Sequence, residues 1–280
     1  MKNEYLQEFI ANALKEDIGD GDHSSQACIP EEAEGKVQLL VKEPGVLAGV
    51  DVAFAVFRHL QADIVISPLL GDGSLVQPGD VAFTVEGKVR TLLKAERLVL
   101  NIMQRMSGIA THTREYVQLL EGTHTKILDT RKTTPGMRFL EKQAVKIGGG
   151  ENHRMGLFDM IMLKDNHIDF AGGIENAIKN THKYLDNIGK DLKIEIEVRN
   201  LNELRQVLET GGVDRIMLDN FDTPTTKEAV KLIDGKYETE SSGGITKETI
   251  RSYAGCGVDY ISVGALTHQI RSLDMSLKAI

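Results

Sequence analysis

"KIEIEV", residues 193–198, alternates two chemistries. In an extended chain Ile194, Ile196 and Val198 share one face, and Glu195 and Glu197 share the other. An open parallel sheet carries apolar helices on both faces, so two acids on one of them would be costly to bury. In a barrel the second face looks into the lumen, where acids can meet cations or a metal. The stretch therefore points to a barrel.

The flanking chain has the rhythm a barrel needs. From about residue 125, short apolar runs alternate with amphipathic stretches: "TKILDTRK" then "MRFLEKQAVKI", "FDMIMLKDNH" then "IENAIKNTHKYL", "KIEIEV" then "LNELRQVLET". The series continues with "RIMLDN" then "TKEAVKLI", "YETESSGG" then "KETIRSYAG", and "YISVGA" then "THQIRSLDMSL". Such strand–helix units in succession imply parallel strands, because a parallel return needs a crossover. Six of them fall short of the eight in an ordinary β/α barrel, so the barrel is expected to be shortened or incompletely closed.

Upstream the pattern is mixed. "KVQLLVKE" alternates Val37, Leu39 and Val41 with polar residues, as a half-buried strand does. Further strand-like runs in residues 63–93 are divided by Gly-Asp-Gly and Pro-Gly-Asp turns. "KAERLVLNIMQRMSGIATHTREYVQLL" then reads as one long helix leading into the repeats. The expected fold is α/β: an N-terminal α+β module over residues 1–110, then an incomplete six-stranded β/α barrel over 111–280.

Composition limits the function. A formal net charge of -8 argues against nucleic acid, whose partners are usually basic, yet a local cluster of cations can still hold a small anion. Two cysteines, Cys28 and Cys256, exclude a disulfide framework and suit a reducing compartment. The start reads as a helix rather than a signal peptide, and no apolar run is long enough to span a bilayer. A cytoplasmic location is expected.

In parallel α/β folds ligands bind at the carboxyl ends of the strands. Those ends carry Thr130, Arg131 and Lys132; Lys164; Glu197; Asp219; Ser242, Gly243 and Gly244; and Val263, Gly264 and Ala265 of "SVGALTH". The loop "GGGENHRMG" adds His153 and Arg154. Arginine forks suit carboxylate or phosphate, and lysines add point charges. Glu197 and Asp219 are hard oxygen donors of the kind Mg²⁺ takes together with water and phosphates. The glycine-rich ends of the last two strands offer backbone N–H groups to a phosphate. Cations, a metal pair and a phosphate cradle together suggest a phosphorylated sugar and a second anionic substrate.

Taken in order, "DTRKTTPGMR", "GGGENHRMGL", "LKDNH", "EIEV", "LDNF", "ESSGG" and "SVGALTH", with "EDIGDGDHSS" and "AERLVLN" upstream, resemble quinolinate phosphoribosyltransferase, the carboxylating nicotinate-nucleotide pyrophosphorylase. The resemblance covers nearly the whole chain. It implies a pentosyl transfer from phosphoribosyl pyrophosphate to quinolinate with Mg²⁺, giving nicotinate mononucleotide, pyrophosphate and CO₂ in NAD biosynthesis. It also implies a homodimer or hexamer in which Arg97 is lent to the neighbouring subunit's site. Arg131, His153, Arg154 and Lys164 match positions on the quinolinate side. Lys132, Glu197, Asp219, Ser242, Gly243, Gly244 and Gly264 match the phosphoribosyl pyrophosphate and metal side. Lys132, Lys164, Glu197 and Asp219 are then the groups nearest the chemistry.

Plainer readings compete. Arg131 could pair with Asp129 or Glu151, and Lys164 could be a Schiff-base lysine. Glu195 serves equally as a lumen ion-pair partner or a ligand, and Arg105 has no assignment. "DIGDGDHS", residues 17–24, lacks EF-hand spacing and reads as a turn with a helix cap. A metabolite-binding protein and a phosphoribosyltransferase for another heterocycle remain as alternatives to the carboxylating enzyme.

Overall fold

A computed structural model describes residues 2–280. In chain order the elements are α1 (Lys2–Ile18), α2 (His23–Cys28), β1 (Glu34–Val41), β2 (Gly45–Val46), α3 (Val50–Leu60), β3 (Val65–Pro68), β4 (Leu75–Val76) and β5 (Val81–Lys88). There follow α4 (Val89–Leu119), β6 (Lys126–Leu128), α5 (Arg138–Ile147), β7 (Ile161–Leu163), α6 (Asp165–Ala171), α7 (Ile174–Ile188) and β8 (Ile194–Val198). The chain ends with α8 (Leu201–Thr210), β9 (Arg215–Asp219), α9 (Thr223–Ile233), β10 (Glu238–Ser242), α10 (Ile250–Ala254), β11 (Tyr260–Ser262), α11 (Ala265–His268) and β12 (Met275–Ala279).

These elements form two compact units that are not contiguous in sequence. One holds the chain up to Arg114 together with Thr134–Gly149 and Gln269–Ile280; the other holds Glu115–Thr133 and Gly150–His268. Both α5 and β12 belong to the first unit. The reason is local. On α5, Phe139 meets Tyr5 and Phe9 of α1 edge-on at 4.8 and 5.8 Å, and Glu141 is fully buried against Arg105 of α4 at 2.7 Å.

The first unit is built on an antiparallel sheet of order β12-β1-β5-β3. Val37, Leu39 and Val41 of β1 alternate inward as their spacing requires, and Phe83 of β5 stacks edge-on against Phe54 and Phe57 of α3. "THQIRSLDMSL" is where the expected helix fails: only the four-residue α11 forms, and the rest passes into β12. Met275 and Leu277 are buried around the half-buried Ser276, a period of two that lets the strand pair antiparallel with β1. Asp22 caps α2 by accepting the Ser25 N–H at 3.1 Å, so the "DIGDGDHS" turn is a helix start.

The second unit carries a six-stranded parallel sheet of order β6-β11-β10-β9-β8-β7. Consecutive strands are neighbours except at one place, because β6 and β7 do not pair; the barrel is incomplete, as expected. Register fixes which side chains share a face. Glu195 lies opposite Met162 and Arg215, Glu197 opposite Met217, Met217 opposite Glu240, Glu240 opposite Tyr260, and Asp219 opposite Ser242. All occupy one polar face. Ile194, Ile196, Val198, Ile216 and Leu218 occupy the other, and every residue of β8 is buried on both sides.

Candidate active site

Each strand of the parallel sheet ends in a loop that carries a candidate residue. After β6, Thr130 Oγ1 accepts the Lys132 N–H at 3.0 Å, and Thr267 Oγ1 donates to the Lys132 carbonyl at 2.7 Å. These bonds fix the backbone and leave the Arg131 and Lys132 side chains exposed, with no acid partner among the described residues. The rival partners for Arg131 are engaged elsewhere. Asp129, fully buried, accepts the His153 N–H at 2.9 Å and the Asn152 Nδ2 at 2.5 Å, and Glu151 holds Lys126 at 2.7 Å.

Arg154 lies beside Arg131, and its relative exposure is 9%. Burial pushes its pKa below the ordinary value, and the positive charge of Arg131 pushes it further, with only partial relief from Glu195 and Asp159. Its Nη1 donates to the Met160 carbonyl at 3.2 Å. Two guanidinium groups held near one another at a strand-end mouth have the chemistry to hold an anion with more than one carboxylate.

Across the mouth, Lys164 Nζ donates to Glu197 Oε2 at 2.6 Å, and His167 Nδ1 accepts the Lys164 backbone N–H at 3.0 Å. Asp219 is half-buried, and its Oδ2 accepts from Asn220 Nδ2 at 2.7 Å. Glu197 and Asp219 lie on one face of adjacent strands, each with one oxygen uncommitted. Two hard oxygens beside an anion receptor fit Mg²⁺, which keeps waters and completes its shell with phosphate oxygens.

The glycines are steric requirements. Gly243 has φ +99, and a Cβ there would stand 2.2 Å from Asn220 Oδ1. A Cβ on Gly264 would stand 2.9 Å from Lys132 Cδ, so the absence of a side chain at 264 is what lets Lys132 lie across the end of β11. Gly244, Val263 and Ala265 complete the loops beside Ser242 and Gly264. Arg97 is not in this unit; it is exposed on α4, with no side-chain hydrogen bond or ion pair among the described residues.

Deeper on the polar face lies a cluster of which the sequence named His153 and Glu195 but not Glu240 or Arg215. Glu195 and Glu240 are both fully buried, and His153 Nε2 stands 2.9 Å from Glu195 Oε2 and 3.5 Å from Glu240 Oε2. Arg215 reaches Glu240 at 3.1 Å and Glu238 at 2.9 Å, with its guanidinium 4.0 Å from the Tyr260 ring centroid. Burial pushes Glu240 up to about 8, and the charge of Glu195 adds to the shift; burial pushes Glu195 up to about 7. The ligand atoms of His153, Glu195 and Glu240 lie within 4.8 Å of one another, a spacing open to a metal, but Arg215 already supplies the cation. A signal existed: counting back in twos from Asp219 reaches Arg215, and from Ser242 reaches Glu240.

Fold and site together define an incomplete β/α barrel whose strand ends gather cations, carboxylate oxygens and glycine loops, an arrangement suited to phosphoribosyl transfer. The family model described as quinolinate phosphoribosyl transferase, C-terminal domain, matches residues 109–278, and that of the N-terminal domain matches residues 22–107. The chain belongs to the quinolinate phosphoribosyltransferase family. It is 44% identical to quinolinate phosphoribosyltransferase [decarboxylating] 2, mitochondrial, of Nicotiana glauca, over 98% of this chain and 82% of the relative. It is also 44% identical to nicotinate-nucleotide pyrophosphorylase [carboxylating], chloroplastic, of Arabidopsis thaliana, with the same coverage. Among solved structures, the nicotinate-nucleotide pyrophosphorylase from Francisella tularensis is similar with a TM-score of 0.92 and 40% identity, over 99% of this chain and 97% of that one. NadC from Streptococcus pyogenes gives 0.92 and 40%, over 98% and 97%.

Proposed function

We propose that the chain transfers the phosphoribosyl group of phosphoribosyl pyrophosphate to quinolinate, releasing pyrophosphate and CO₂ and forming nicotinate mononucleotide. The observation that carries this reading is the Arg131–Arg154 pair, two guanidinium groups whose like charges oppose each other. Quinolinate, with carboxylates on adjacent ring carbons, turns that repulsion into two attractions. Nicotinate, with one carboxylate, would leave part of it standing.

In this reading Arg131, Arg154 and Lys164 clamp the dicarboxylate, with Arg97 added from a neighbouring subunit of a homodimer. The exposed and unpaired state of Arg97 supports that donation. Lys132, with the loops of Ser242–Gly244 and Val263–Ala265, receives the phosphorylated sugar. Glu197 and Asp219 would hold Mg²⁺, which supplies charge neutralisation for the departing pyrophosphate. As that C–O bond breaks, C1 of the ribose gains positive charge, and the acids of the polar face stabilise it. The clamp holds the pyridine nitrogen in line with C1, so that the new N–C bond forms as the old one breaks. The C2 carboxylate then leaves as CO₂, and its electron pair stays on a ring carbon next to N⁺ until a proton replaces it. The protein's work is positioning and electrostatics, with no covalent enzyme intermediate. The unpaired cysteines are in keeping with a reducing, cytoplasmic setting.

The test is direct. Purified protein with Mg²⁺, quinolinate and phosphoribosyl pyrophosphate should release CO₂ and nicotinate mononucleotide in equal amounts. Turnover of nicotinate but not quinolinate would replace this reading with the non-carboxylating one, and quinolinate binding without turnover would leave a binding protein.

A further inference from the structure

The link from β9 to α9 covers only residues 220–222, and its first residue has an uncommon backbone. Asn220 has φ +55, in the left-handed region. One other non-glycine residue shares that sign among the described residues: Asp234, at the C-cap of α9, where left-handed backbone is ordinary. Asn220 lies instead at the end of a strand. Its N–H donates to Ser242 O at 2.9 Å, which carries the β9–β10 pairing one residue past Asp219 and Ser242. Its Nδ2 donates to Asp219 Oδ2 at 2.7 Å. Its Oδ1 lies over Gly243, where a Cβ would stand 2.2 Å away. A carboxylate can only accept, so the amide nitrogen is the end that faces Asp219.

We propose that Asn220 is a positioning residue: it turns the Asp219 carboxylate so that Oδ2 is held and Oδ1 stays free for the metal, without itself touching metal or substrate. The proposal rests on the reading in which Asp219 holds Mg²⁺. Few residue types could do this. Left-handed backbone is open at low cost to glycine, asparagine and aspartate. Of these, glycine has no donor, and aspartate would set a second carboxylate against the first. Asparagine alone meets both conditions. Glu197 is treated alike, since Lys164 Nζ holds its Oε2 at 2.6 Å. Because Asn220 also lies against Gly243, one side chain ties the Asp219 carboxylate to the loop after β10.

Asn220→Gly keeps the backbone and removes the donor. Binding of Mn²⁺ in the presence of inorganic pyrophosphate, read by electron paramagnetic resonance, should weaken about tenfold, the scale of one hydrogen bond to a charged group. The melting temperature and KM for quinolinate should hardly change. Asn220→Ala loses the donor and strains the turn as well, so it should lose the same metal affinity and also melt lower. If Asn220→Gly keeps wild-type affinity and only Asn220→Ala loses it, the backbone is what matters and the proposal is overturned. In an Asp219→Asn background, Asn220→Gly should lower kcat less than about twofold, because the carboxylate it aims is gone. An undiminished penalty there would also overturn the proposal. If wild-type protein neither binds Mn²⁺ with pyrophosphate nor converts quinolinate, the functional reading fails by itself. Crystal structures of wild type and Asn220→Gly then decide the positioning role: an Asp219 carboxylate that leaves its wild-type rotamer upholds it, and one that keeps it overturns it.

Discussion

Arg154 and Arg215 are both largely buried, in the same unit, and have opposite electrostatic fates. Burial works against the charge of each. At Arg215 it is the largest single influence, yet Glu195, Glu240 and Glu238 together more than offset it, and the pKa is raised. At Arg154 the next influence after burial is another arginine, and the pKa is lowered. A buried arginine that has found its acids is part of the framework. A buried arginine held beside a like charge awaits an anion from outside. The distinction separates the floor of the barrel from its mouth, although both lie on one face of one sheet.

Removing either arginine should break this contrast in a different way. Arg215→Ala leaves Glu195 and Glu240 without their cation and should cost about 3–5 kcal/mol of stability by denaturant unfolding. Asp219→Asn should lower kcat about a hundredfold, the scale of one lost preorganised charge, with KM for quinolinate little changed and a higher Mg²⁺ requirement. Arg131→Ala should raise KM for quinolinate by about 1.5–3 kcal/mol, roughly tenfold to a hundredfold. The melting temperature should not fall, because the change also relieves Arg154 of a like charge. A fall in stability at Arg131 would show that it belongs with Arg215 after all. Gly264→Ala pushes against a flexible lysine stem rather than backbone, so it should raise KM for phosphoribosyl pyrophosphate a few-fold and cost under about 1 kcal/mol of stability.

The floor also predicts a pH dependence. Glu240 is raised from 4.5 to about 8, so the folded state keeps a proton that the unfolded state has lost between those values. Stability contributed by that proton is complete at the acid end and declines as pH rises through the window. Chemical unfolding at stepped pH should show this decline, and Glu240→Gln should flatten it.

Much of this was legible in the letters. The period of two in "KIEIEV" named the acid-bearing face, the six runs named the parallel strands, the strand ends named Arg131, Lys164, Glu197 and Asp219, and the loop "GGGENHRMG" named Arg154. Arg105 was unreadable because its partner Glu141 lies on a helix that returns to the first unit after β6. β12 was unreadable because five residues with two buried positions also fit a helix, and only an open edge on β1 decides for a strand. Glu240 carried no assignment, because its partner Arg215 lies on a neighbouring strand.

The sequence alone determined periodicity and charge content, since side-chain alternation follows from backbone geometry in any extended chain. It did not determine which charges would meet. That is a matter of register between strands distant in the chain, and only the tertiary structure, by placing Glu240 beside Arg215 and leaving Arg131 beside Arg154, decided which cations are spent on the fold and which remain for a ligand.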